Sequence, residues 1–158
     1  MVTKPDQSIL LIEDSPEDYQ ATIRALSKGG LANPIVWCQD GDAALDYLFH
    51  RGEFTPPREP PQPGLILLDL NLPGTDGREV LAEIKRDPQL SVIPVIVLTI
   101  SDDEQEIENC YRAGANGYVK KPVDLEGYFR AIHRLTNYWF EVVVLPKPST
   151  AGQTLGSA

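Results

Sequence analysis

Cysteine is scarce in this chain: Cys38 and Cys110 are the only two among 158 residues. Two isolated thiols in apolar-periodic segments read as buried side chains, not as a disulfide framework. Basic residues are also in short supply. Lys and Arg total 14 against 23 Asp and Glu, for a formal net charge of −9. An acidic surface disfavours nonspecific contact with nucleic acid or anionic membrane, since both are polyanions. No apolar run approaches the roughly 20 residues that span a bilayer. The opening residues, Met1-Val2-Thr3-Lys4-Pro5-Asp6, lack the positive-then-apolar layout of a signal peptide. Too few residues follow Thr136 for a helix-turn-helix module, and they are not basic. These absences predict a cytoplasmic protein that binds neither nucleic acid nor membrane.

What is present is regular. Hydrophobic content is 42%, and the length suits one domain with a full core and a tail. Five short apolar runs, at 9–12, 35–38, 65–69, 95–98 and 117–119, alternate with five helix-like segments. The first, third and fourth runs are continuously apolar, as central parallel strands covered on both faces require. Helix starts are marked by Ser15-Pro16-Glu17-Asp18, by Asp40 or Asp42, by Asp76 with Glu79, by Ser101 with Glu104, and by Asp124. Behind these caps, apolar residues recur at helical spacing: Tyr19, Ile23 and Leu26; Ala44, Leu45 and Leu48; Val80, Leu81 and Ile84; Ile107, Cys110 and Tyr111; Leu125, Tyr128, Phe129, Ile132 and Leu135. Strict alternation predicts an α/β fold, doubly wound, with right-handed crossovers and a five-stranded parallel sheet. The flavodoxin-like strand order 2-1-3-4-5 fits, and it would place a ligand site at the carboxyl ends of strands 1 and 3.

Two segments break the alternation. Residues 50–64 carry five prolines and form a long connection expected to be stiff and extended. Residues 137–145 extend the last helix with Tyr138, Trp139, Phe140, Val142, Val143 and Val144. The chain is then expected to divide into an N-terminal arm at 1–7, a folded region at 8–145 containing both segments, and a tail at 146–158 whose small, polar composition predicts disorder.

Chemistry gathers at the strand ends. Glu13-Asp14 follows the first apolar run and Asp69 ends the third. Three acids brought to one point repel unless a cation or proton separates them. Mg²⁺ (or Mn²⁺) prefers oxygen ligands and keeps several waters. Asp14 and Asp69 suit direct ligation, with Glu13 acting through water and the Asn71 backbone carbonyl completing the set. Such a cluster also leaves a carboxylate to spare as a nucleophile for phosphoryl transfer. Thr99 and Lys121 close the fourth and fifth strands and bring a hydroxyl and an ammonium to the same edge.

The chain here resembles the receiver domains of two-component response regulators, from about Ser8 to Thr136. The resemblance rests on Glu13-Asp14, on Asp69-Leu70-Asn71-Leu72-Pro73-Gly74-Thr75-Asp76-Gly77, on Thr99, and on Tyr118-Val119-Lys120-Lys121-Pro122. It implies that Asp69 is the phosphoacceptor, that Asp14, Asp69, Glu13 and the Asn71 carbonyl serve the metal, and that Lys121 is the site lysine. It implies further that Thr99 and Tyr118 form a switch pair. A receiver is a phosphoacceptor, not an enzyme, apart from slow self-catalysed phosphorylation and dephosphorylation. The proline-rich segment and the aromatic-valine extension resemble the stand-alone regulators of bacterial phytochrome histidine kinases. That implies a phytochrome-type kinase as donor and a homodimer face at Tyr138, Trp139, Phe140, Val142 and Val144, with an unidentified downstream protein.

Ile100 departs from the small residue usual after Thr99, and its bulk is expected to restrict access to Asp69 or to hinder an inward Tyr118. Leu72 and Thr75 replace common methionines and are expected to matter little. Three competing readings stand beside this one: a phosphorelay intermediate without light input, a pseudo-receiver that only binds proteins, and an aspartate-nucleophile phosphatase. The last lacks its second acid, because Asn71 stands where that acid would fall.

Overall fold

In a computed structural model, residues 7–147 are described. Most of the expected N-terminal arm and of the expected tail lies outside them. Five strands, β1 (Ile9–Ile12), β2 (Ile35–Cys38), β3 (Leu65–Asp69), β4 (Val95–Thr99) and β5 (Gly117–Lys120), alternate with α1 (Pro16–Lys28), α2 (Gly41–Phe49), α3 (Gly77–Arg86), α4 (Glu104–Arg112) and α5 (Leu125–Asn137). The sheet is parallel throughout, in the order β2-β1-β3-β4-β5. The expected flavodoxin-like doubly wound fold is therefore the fold observed. Every residue of β1, β3 and β4 is buried, because helices cover both faces of the sheet.

Side-chain alternation divides the core in two. Leu10, Ile12, Ile66, Leu68, Val95 and Val97 face α2 and α3. Ile9, Leu11, Leu65, Leu67, Ile96 and Leu98 face α1 and α5. Cys38 and Cys110 are both buried free thiols, as expected. Among the described residues, no helix is long and apolar enough to cross a membrane.

The helix starts hold with one correction. Ser15, Asp40, Asp76 and Asp124 each accept a backbone N–H from the following turn. The cap of α4 is Asp103, not Ser101, and its carboxylate accepts the Glu106 N–H at 3.0 Å. Ser101 instead accepts the N–H of Asp103, one step upstream. Apolar faces hold less evenly. Val80, Leu81 and Ile84 are buried, whereas Tyr111 and Leu125 are exposed. On α1 the buried centre is Ala21, Thr22, Ala25 and Leu26, with Tyr19 and Ile23 half-buried.

The proline-rich segment is not extended throughout. It opens with a 3-10 turn at Gly52–Phe54, where Gly52 takes a left-handed φ of 60° and Phe54 packs edge-on against Tyr47. The extension after α5 continues as a π-helical turn, Tyr138–Val142. It presents two faces. Trp139 and Phe140 pack half-buried on the α1–α5 side of the core, so they are shared with their own domain and not freely available to a partner. Tyr138, Val142 and Val144 are exposed. Leu145 returns inward, and its Cδ1 lies near Gly64 at the end of the proline-rich segment.

Candidate functional site

Strand register builds the site. Ile12 pairs with Leu68, so the residues that follow, Glu13 and Asp69, leave β1 and β3 side by side at the carboxyl edge. Glu13, Asp14 and Asp69 place carboxylate oxygens within 4.8 Å of one another. Asp14 is exposed, while Glu13 and Asp69 are buried. An ammonium sits among them. Lys121 Nζ donates to Glu13 Oε1 at 2.5 Å, to Asp18 Oδ2 at 2.7 Å and to Asp69 Oδ2 at 3.1 Å. Asp18 was not foreseen as a site residue, because an acid in the first turn of a helix already has a reason to be there. Its position one turn after Asp14, on a helix entering from the acid pair, was the available signal.

Lys121 and Lys120 separate as expected. Lys121 is buried in the acid cluster, whereas Lys120 forms an exposed ion pair with Asp102 at 2.9 Å. The loop after β3 begins with a turn in which the Asn71 N–H donates to Asp69 Oδ1 at 3.0 Å. Gly77 opens α3 directly beneath, and a Cβ there would overlap the Asp69 carbonyl oxygen. Trp37 on β2 supports the other side. Its indole N–H donates to the Glu13 carbonyl at 2.6 Å, and Tyr19 stacks on its ring with centroids 3.9 Å apart.

Thr99 is the last residue of β4 and is fully buried; its hydroxyl accepts the Ser101 N–H at 3.4 Å. Asp69 pairs with Leu98, so Thr99 lies one step further along the same edge. Tyr118, on β5, turns its hydroxyl toward the start of α4, donating to the Ser101 carbonyl at 2.9 Å and to Glu106 Oε1 at 3.2 Å. The other Glu106 oxygen pairs with Arg78 of α3. Neither Glu106 nor Arg78 was foreseen, because their meeting depends on how two helices pack. Ile100 is 72% exposed and borders a depression of about 450 Å³ shared with Glu17, Asp18, Lys121 and Val123. Its side chain therefore stands at the approach to the site, the position from which the expected restriction of access to Asp69 would act.

Electrostatics follow from burial. Desolvation pushes the Glu13 carboxyl up to about 8, with the hydrogen bond to Asp69 adding and Lys121 opposing. Burial pulls Lys121 down, but hydrogen bonds to Asp18 and Glu13 and the charge of Asp69 outweigh it and raise its pKa. Desolvation also pushes Tyr118 up to about 12, so its hydroxyl stays a donor. The ligand atoms offered are all hard carboxylate oxygens, gathered closely and open to solvent at Asp14, a set that fits Mg²⁺ or Mn²⁺.

A doubly wound α/β domain with an acid cluster and one lysine at its carboxyl edge defines a class of signalling module. The chain belongs to the response regulator receiver domain family, whose pattern it matches over residues 9–133. It is 40% identical over 144 residues to the response regulator Rcp1 of Synechocystis sp., covering 91% of this chain and 96% of that protein. It is also similar to the phosphorylated cyanobacterial phytochrome response regulator RcpA, with a TM-score of 0.84 and 39% identity over 89% of this chain and 99% of that one. The Mn²⁺-bound form of Rcp1 gives a TM-score of 0.84 at 40% identity, with 89% of this chain and 99% of that chain covered.

Proposed function

We propose that this chain is a single-domain response regulator that takes a phosphoryl group onto Asp69 from a phosphohistidine of a histidine kinase. The observation that carries the reading is the convergence of Lys121 on Glu13, Asp18 and Asp69 at the carboxyl edge. An Asp69 oxygen attacks phosphorus in line. The phosphorus–nitrogen bond of the donor breaks, its electron pair returns to the imidazole, and an acyl phosphate forms on Asp69. Lys121 supplies positive charge to the phosphoryl oxygens. Asp14, Asp69, Glu13 and the Asn71 carbonyl would hold Mg²⁺ or Mn²⁺, which when bound offsets negative charge on the acids and the phosphoryl group.

Thr99 and Tyr118 act as the switch pair in this reading. Hydrogen-bonding of Thr99 to the new phosphoryl oxygens shifts the start of α4, where the Tyr118 hydroxyl is anchored. Similarity to Rcp1 and RcpA supports a phytochrome-type kinase as donor. The exposed Tyr138, Val142 and Val144 support a homodimer face. A cytoplasmic setting without nucleic acid or membrane contact agrees with the net charge of −9. The chain is a phosphoacceptor in this account and not an enzyme with turnover.

The test is incubation with a small phosphodonor and Mg²⁺. Acid-labile phosphate is expected on wild type and not on Asp69→Asn. Persistent labelling of that variant would move the acceptor elsewhere, and no labelling of wild type would favour a pseudo-receiver.

A further inference from the structure

Residues 70–76 link β3 to α3 and carry Asn71. Their ends are tied locally: Asn71 N–H donates to Asp69 Oδ1, and Gly77 N–H donates to the Leu70 carbonyl at 3.0 Å. The middle is tied to a different element. Gly41, the first residue of α2, donates its N–H to the Pro73 carbonyl at 3.3 Å. The Thr75 hydroxyl donates to Asp42 Oδ1, next along the same helix. Two glycines allow this approach. A Cβ on Gly41 would overlap the Thr75 carbonyl oxygen. Gly74 takes a left-handed φ of 71°, and a Cβ there would lie 2.7 Å from Asp42 Oδ2. Asp40, not Asp42, caps α2 through the Ala43 N–H at 2.7 Å, so the Asp42 carboxylate is available to the loop. Asn71, Pro73 and Gly74 are exposed, so burial does not hold this stretch; only Leu72 packs half-buried on the core.

We propose that Asp42 and Thr75 are positioning residues: with Gly41 they latch the loop after Asp69 onto the start of α2, and so hold the Asn71 backbone in place for divalent-cation binding. The proposal rests on the reading that a cation is held beside Asp69. It revises the expectation that threonine at position 75 matters little. A side chain without a hydrogen-bonding hydroxyl cannot make this bond.

Thr75→Val is the cleanest variant, because it keeps shape and changes no charge. Mn²⁺ binding to the full chain can be followed by quenching of tryptophan fluorescence, since Trp37 bonds to the Glu13 carbonyl. Thr75→Val is expected to weaken Mn²⁺ binding about fivefold, the scale of one ordinary hydrogen bond. Thr75→Ser should restore it. Gly41→Ala should weaken it at least as much and lower the melting temperature as well, because its Cβ meets the Thr75 backbone. With Asp42→Ala, the Thr75→Val change should add nothing further. Unchanged affinity in both Thr75→Val and Gly41→Ala, or weakened affinity that Thr75→Ser does not restore, would overturn the latch. Failure of wild type to bind Mn²⁺ at all would instead overturn the cation reading on which it rests.

Discussion

Burial and the neighbouring Asp69 hold the Glu13 carboxyl up at about 8, against an ordinary value of 4.5. The unfolded chain gives up this proton near 4.5, whereas the folded chain keeps it to about 8. Glu13 therefore contributes stability that is fully present below pH 4.5 and is lost as pH rises to about 8. In chelator, the melting temperature should fall across that window, and Glu13→Gln should flatten the fall. An unchanged slope in Glu13→Gln would assign the effect to other groups. Lys121 has the opposite role, since it offsets Glu13, Asp18 and Asp69 at once. Lys121→Met should destabilise the metal-free protein by about 3 kcal/mol, the order found when one partner of a buried pair is removed. Added Mg²⁺ should recover part of the loss in denaturant titrations. Glu13, Asp14, Asp69 and Lys121 were legible in the sequence because each terminates an apolar run or precedes Pro122. Asp18 was not, since its helix position explained it without reference to the site.

At the scale of elements, strand limits were legible to within one residue because each apolar run ends at a polar or charged residue. Helix caps were legible except before α4. There Ser101, Asp102 and Asp103 are all competent caps, and tertiary contacts choose among them. The Tyr118 hydroxyl binds the Ser101 carbonyl and Lys120 pairs with Asp102, which leaves Asp103 to close the helix. Asp103→Ala should cost about 1 kcal/mol in denaturant unfolding. Ser101→Ala, which removes only a bond from the preceding turn, should cost less. The reverse order would restore Ser101 as the cap. The link from Arg78 through Glu106 to Tyr118 was illegible for a different reason. It joins α3, α4 and β5, and no local pattern encodes a meeting of three elements.

The extension after α5 acts at the scale of the whole molecule because its two faces have different partners. Trp139, Phe140 and Leu145 belong to this domain's own packing, and Leu145 meets Gly64 at the end of the proline-rich segment. The two departures from regular alternation thus touch each other, which neither announced in the sequence. Tyr138, Val142 and Val144 are 53%, 70% and 87% exposed, so they form the part of the expected dimer face still open to a partner. Apolar side chains left in water along one short extension gain by burial against a second copy, at about 25 cal/mol per Å² of area covered. Substituting Val142→Asp with Val144→Asp should therefore shift a dimer toward monomer in sedimentation velocity while leaving the melting temperature of the monomer near wild type. Leu145→Ala should do the converse. It should lower stability by about 2 kcal/mol through a lost core contact, and alter association only as far as the extension loosens. A dimer that survives the double aspartate variant would place the interface on another face. Loss of both association and fold in that variant would mean that the valines serve their own domain.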